Sequence, residues 1–266
     1  MKLSLSGRLI EMTKQSYAMA VEEFLELTVN AGYQGVHLRD GQIDHLIQAE
    51  RFDGLEALYS DHGLGCSMLW GRLESASFDA DLTRKKLALL PRVGLDQLMI
   101  GYPMDIELIR EWCDLAARQD ITLVIACHVN SLFENIIRAR DFIGKVDRPN
   151  LGLNVDPLNI HMAGQDYGLA TLEQVRDLLR IVNVQGGVLH QGDQTISRYY
   201  RKSTPTFRRL YLCDEDHLDI PQFISNLKTI GYEGYVNVLE PYSKGNDLSR
   251  VASETARLLK GYIDGS

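Results

Sequence analysis

Three apolar runs in the second half of the chain each end in a side chain that can hold a cation or move a proton. Gly152–Asp156 ends in Asp156, Gly186–His190 in His190 and Gly234–Glu240 in Glu240. Two carboxylates and an imidazole at one rim form an oxygen and nitrogen donor set of the kind that holds Mn²⁺, Mg²⁺, Co²⁺ or Zn²⁺ while leaving positions open for substrate. Singly, a strand-end carboxylate more often caps the helix that follows it. A fourth run, Ile121–His128, ends in His128, which points the same way as Ala126 two residues earlier. Arg39, Trp70 and Tyr102 end or follow earlier runs, and Arg8 and Glu11 follow the first. An arginine in such a mouth suits a phosphate or carboxylate, although Arg39 beside Asp40 can equally be one half of an ion pair, and an indole face suits a sugar ring.

The elements that must carry these residues repeat. Strand-like runs begin near Leu3, Gly35, Gly65, Gln97, Thr122, Gly152, Gly187 and Tyr235, each followed by apolar residues at helical spacing. Eight βα units over 266 residues predict a (β/α)8 TIM barrel, an α/β fold, with an open doubly wound sheet as the alternative. In a barrel, strand C-terminal ends share one mouth, which makes Asp156, His190 and Glu240 neighbours. The helical stretches from Val21 and from Ile224 both run into Gly-Tyr-x-Gly before the next strand, and an amphipathic helix from Asp247 to Ile263 closes the chain. No Pro- or Ser-rich linker interrupts residues 1–266, so a single domain is expected.

The longest connection, Gln191–Asp219, carries Arg198, Tyr199, Tyr200, Arg201, Lys202, Arg208 and Arg209. A loop of this length on the catalytic face suggests a lid, with Arg198 a candidate substrate contact. Its alternative use is a subunit contact in a homo-oligomer. A net charge of -8 argues against nucleic acid, and no apolar stretch approaches a membrane span or a signal peptide core, so the expected setting is cytoplasmic. Cys66, Cys113, Cys127 and Cys213 form no C-x-x-C pair and read as buried thiols.

The chain resembles the sugar phosphate isomerase/epimerase group of xylose-isomerase-like TIM barrels. The resemblance is carried by Ser4–Glu11, Ala31–Arg39, Asp156-Pro-Leu-Asn159, Val188-Leu-His190 and Gly231–Glu240, and runs through essentially the whole chain. It implies a divalent metal held by a Glu ending strand five, an Asp ending strand six, a His ending strand seven and a Glu ending strand eight. The last three fall on Asp156, His190 and Glu240; the first falls on Ala126. The two glutamates also serve as the acid/base pair of epimerases in that group, so the resemblance leaves Glu240 as base, with His128 assisting. Asn159 stands where many members place a substrate-contacting His, and retains hydrogen bonding but not proton shuttling.

The function expected is a metal-dependent isomerase or epimerase acting on a small sugar, sugar phosphate or keto-polyol by proton abstraction beside a polarised carbonyl. A dehydratase acting on an inosose-like or dehydroshikimate-like substrate shares the same site. From a different class comes a degenerate barrel that binds sugar without turnover. Endonuclease activity, known among similar barrels, fits poorly with the acidic charge and the few ligands.

Overall fold

The computed structural model describes residues 1–73, 78–201, 203–214 and 218–265. Eight parallel strands form the sheet: Lys2–Ser6, Gly35–His37, Gly65–Cys66, Gln97–Gly101, Thr122–Ala126, Leu151–Val155, Leu179–Val184 and Tyr235–Val238. Their order around the sheet is 3-2-1-8-7-6-5-4, every pair in parallel register. Beyond the short third strand, the chain closes the ring through a parallel bridge between Trp70 and Met99, with Met99 N–H donating to the Leu69 carbonyl at 2.9 Å. The fold is therefore the TIM barrel expected.

Most of the apolar core lies between the barrel wall and the helices. The helix Ile106–Ala117 shows how it is built. Asp105 caps it by accepting from Glu107 and Leu108 N–H, and Ile109, Trp112, Cys113 and Ala116 form the buried stripe at 3.6-residue spacing. The closing helix Leu248–Asp264, capped by Asp247, buries Val251, Ala252, Thr255, Ala256 and Leu259. Both Gly-Tyr-x-Gly segments stop their helices with a left-handed glycine, Gly32 at φ 84° and Gly231 at φ 75°.

Inside the barrel, a small apolar cluster of Met68, Met99, Val124, Ala126 and Ile181 has Trp70 packed against it. Polar side chains share the interior. Ser4 and Ser67 share a hydrogen bond, and the Asn154 and Asn237 amides donate to the Ile181 and Val182 carbonyls.

One element differs from the sequence expectation. The seventh barrel strand is Leu179–Val184; Gly186–Thr195 instead leaves the barrel and pairs antiparallel with Thr206–Leu210. Both segments are apolar enough to read as strands. Two glycines permit the departure: a Cβ on Gly186 would lie 2.6 Å from the Leu210 carbonyl oxygen, and one on Gly187 would lie 2.6 Å from the Phe207 ring. Among the cysteines, Cys66, Cys113 and Cys127 are buried as expected, whereas Cys213 is exposed beyond the hairpin.

Candidate active site

The strand C-terminal ends open into a cavity of about 560 Å³. Asp156, His128, Asn159, Arg39 and Trp70 line it, together with Ala126, Tyr102, Arg8 and Glu11. His190, Glu240 and Arg198 do not, and each departure has a local cause.

His190 lies on the hairpin, exposed, at a left-handed φ of 62°. The residue that the true seventh strand delivers to the mouth is Gln185. Glu240 is displaced by strand parity. Asn237 points into the barrel, Leu239 two residues later lines the cavity, and Glu240 turns outward beneath the closing helix. There its Oε1 accepts from Thr255 Oγ1 at 2.7 Å and from Leu212 N–H at 3.0 Å, while Oε2 is buried with no hydrogen-bond partner among the described residues. Burial pushes this carboxyl up to about 7. Arg198 belongs to the hairpin tip, where its Nε donates to the Met162 carbonyl and Nη1 to Ser203 Oγ.

The hairpin tip is latched to the loop after strand five. Glu134, fully buried, accepts from Asn130 and Tyr199 N–H through Oε2 and from Tyr200 N–H through Oε1, all at 2.9 Å. Tyr200 OH donates to the Leu132 carbonyl. The hairpin within the segment read as a lid is thus a strap held at its tip, and its second strand brings Arg209 into the cavity. Lys202 lies outside the described residues. Arg209 belongs to the segment the sequence marked, yet only the alternation of the hairpin separates it from exposed Arg208.

Asp156 is saturated. Oδ1 accepts from Leu158 and Asn159 N–H at 3.0 and 3.2 Å, capping the short helix Pro157–Met162; Oδ2 accepts from Asn159 Nδ2 at 2.9 Å and from Gln185 Nε2. Burial raises its proton affinity against these donors. A divalent cation does not fit the donor set at these strand ends. Ala126, Gln185 and Leu239 occupy three of the four positions, Asp156 is engaged on both oxygens, and no group of three His, Cys, Asp or Glu side chains converges among the described residues.

What the cavity offers instead is a histidine. His128 Nδ1 is 2.7 Å from the Val129 carbonyl. A carbonyl only accepts, so Nδ1 carries the proton and Nε2 keeps its lone pair. Burial lowers the imidazole's proton affinity, and Tyr102 stacks on the ring at 5.4 Å. Trp70 Nε1 and Asn183 Oδ1 are buried without a protein hydrogen-bond partner among the described residues. Arg39 is bound to Glu11 at 2.7 Å, and the Lys86 ammonium to Asp44 at 2.8 Å.

Barrel topology and a mouth built at the strand C-termini define an α/β-barrel of the kind that houses catalytic sites on that face. Residues 101–262 match the xylose isomerase-like TIM barrel family, and the chain belongs to that family. A curated relative, the 3-dehydroshikimate dehydratase of Bacillus anthracis, is 33% identical over 61 residues, 23% of this chain; the match spans about a fifth (22%) of the relative's own length. The crystal structure of the probable 3-DHS dehydratase involved in petrobactin synthesis from the same organism superposes with a TM-score of 0.71 at 16% identity, covering 98% of this chain and 99% of that one. D-allulose 3-epimerase from Methylomonas sp. gives 0.67 at 17% identity, covering 98% of each chain. At these identities the structural likeness concerns the fold. Among the described residues, no helix is long and apolar enough to cross a membrane.

Proposed function

We propose that this chain is an enzyme that moves a proton beside the carbonyl of a small polyhydroxylated compound, a sugar or keto-polyol, with His128 as the acid/base group. The observation that carries this reading is the His128–Val129 hydrogen bond, which leaves Nε2 as a proton acceptor at a cavity wall. Trp70, Tyr102 and Asn159 line the same cavity and form part of the wall that a substrate would meet. His128 takes the proton from the hydroxyl-bearing carbon next to the carbonyl and returns it to the former carbonyl carbon, while the proton of that hydroxyl passes to the former carbonyl oxygen, which is isomerisation through an enediol. The partner is a small molecule rather than nucleic acid or a membrane, in a cytosolic setting.

The alignment with a 3-dehydroshikimate dehydratase favours a second outcome at the same site. There the proton taken by His128 goes to a departing hydroxyl and leaves as water. Incubation with a panel of sugars and keto-polyols in D₂O separates the two, because isomerisation changes mass only by deuterium whereas dehydration loses water. Deuterium incorporation or water loss by the wild type, abolished in His128→Ala, is the expected result. Turnover at the wild-type rate in His128→Ala refutes the assignment, as does the absence of turnover across the panel, which would favour a barrel that only binds.

A further inference from the structure

We propose that Arg8 and Arg209 form an anion-binding subsite of the cavity, one that takes a carboxylate or phosphoryl group and narrows the ligand class to acidic sugars or keto acids. This rests on the reading of the cavity as the active site. Arg8 follows the first barrel strand and Arg209 lies on the second strand of the hairpin, yet the Nη1 atoms of both donate to one acceptor, Gln185 Oε1, at 2.8 and 2.6 Å. The orientation of that amide is fixed from its other end, since Gln185 Nε2 donates to Asp156.

A neutral amide oxygen is a poor counterpart for two guanidinium ions. Arg39, Arg72 and Lys86, three of the four other cations lining the cavity, each have a carboxylate within ion-pair distance: Glu11, Asp40, and Asp40 with Asp44. Neither Arg8 nor Arg209 has one among the described residues. Each guanidinium carries five N–H donors and spends one on Gln185, so the pair keeps several directed donors without a protein acceptor among the described residues. Over the whole cavity lining, six Lys and Arg side chains stand against five Asp and Glu, a surplus of one positive charge among the described residues. An oxyanion bridging the two planar forks meets both deficits together. Because Arg8 belongs to the barrel and Arg209 to the hairpin, the same anion would tie the strap to the mouth.

Titration calorimetry on the intact protein tests this with three probes: D-gluconate, inorganic phosphate and the neutral polyol D-glucitol. At least one anion should bind about tenfold or more tightly than glucitol, weaken with added salt, and lose about tenfold or more in Arg209→Gln, a larger loss than glucitol shows. Preference for gluconate identifies a carboxylate ligand, and preference for phosphate a phosphoryl group. Equal binding of all three, or anion affinity unaltered in a folded Arg209→Gln variant, overturns the subsite. Should Arg209→Gln fail to fold, the wild-type selectivity with its salt dependence, and Arg209→Lys, decide the matter. Anion binding without any proton exchange in D₂O refutes the His128 reading and leaves the subsite standing. Exchange on neutral sugars without anion selectivity does the reverse.

Discussion

Replacing Glu240 by glutamine removes a buried charge while keeping the oxygen that Leu212 N–H and Thr255 Oγ1 donate to. Burial, with Oε2 left unpartnered among the described residues, lifts this carboxyl from 4.5 to about 7. At about 1.36 kcal/mol per pH unit, ionising it inside the folded protein costs about 3 kcal/mol relative to the unfolded chain. Between pH 4.5 and about 7 the folded state holds a proton that the unfolded chain has released. Stability therefore falls as pH rises through that window and levels off above it. An amide in its place does not titrate and has no such slope, so Glu240→Gln should gain on the wild type by about 3 kcal/mol between roughly pH 4 and pH 8. His37 slopes the other way, because burial holds its imidazole down at about 3 and stability falls as pH drops below 6.5; both proteins share this, so it cancels. Urea denaturation at a series of pH values gives the difference curve. A difference independent of pH, or a variant that loses ground at pH 8, refutes the argument.

Three further outcomes are expected. Burial holds the His128 proton affinity below the ordinary value of 6.5, so activity should persist into mildly acidic buffer and fall as the ring protonates, and His128→Ala should lower kcat by about 10²-fold or more in a pH–rate series. Glu134→Ala removes the acceptor for three backbone N–H groups and should release the strap: limited proteolysis should accelerate between residues 196 and 205, with about 2–4 kcal/mol lost in denaturant titration. Dialysis against a chelator should leave the melting temperature and turnover unchanged, because the strand-end donors do not form a cation site; a drop in Tm of several degrees that Mn²⁺ or Zn²⁺ restores would contradict this.

The barrel was legible in the sequence because its signal is repeated: seven of the eight strand starts fall within about two residues of their observed positions. The remaining one, strand seven, failed at a place where periodicity carries no information. Leu179–Val184 and Gly186–Leu189 are both short apolar runs, and only a tertiary fact, the close approach of Leu210 and Phe207 to Gly186 and Gly187, decides which one stays in the ring. The site suffered more than the fold, since a ligand set depends on single residues. Shifting the strand removes His190, and one residue of parity sends Glu240 to the outer face and puts Leu239 in the mouth. Asp156, His128, Arg39, Trp70 and Asn159 reach the cavity because each follows a strand whose register was read correctly. The pairing of Arg8 with Arg209 had no sequence signal, being a contact across 201 positions made through Gln185.

These replacements change the sign of the cavity. A mouth with carboxylates on strands five, six and eight is anionic and calls for a cation. Here Ala126 and Leu239 carry no charge, and Asp156 is held by two backbone N–H groups and two side-chain amides instead of a metal. The hairpin then adds Arg209 next to Arg8, and the Asp156–Gln185 contact fixes the amide so that its oxygen faces both guanidinium groups. Gln185 is thus the hinge of the electrostatics: it stands where a strand-seven ligand would, binds the one remaining acidic residue of the set and orients the two positive groups. On the two proposals made above, such a cavity would select for a ligand that brings its own negative charge and would leave the catalytic work to a neutral base, His128.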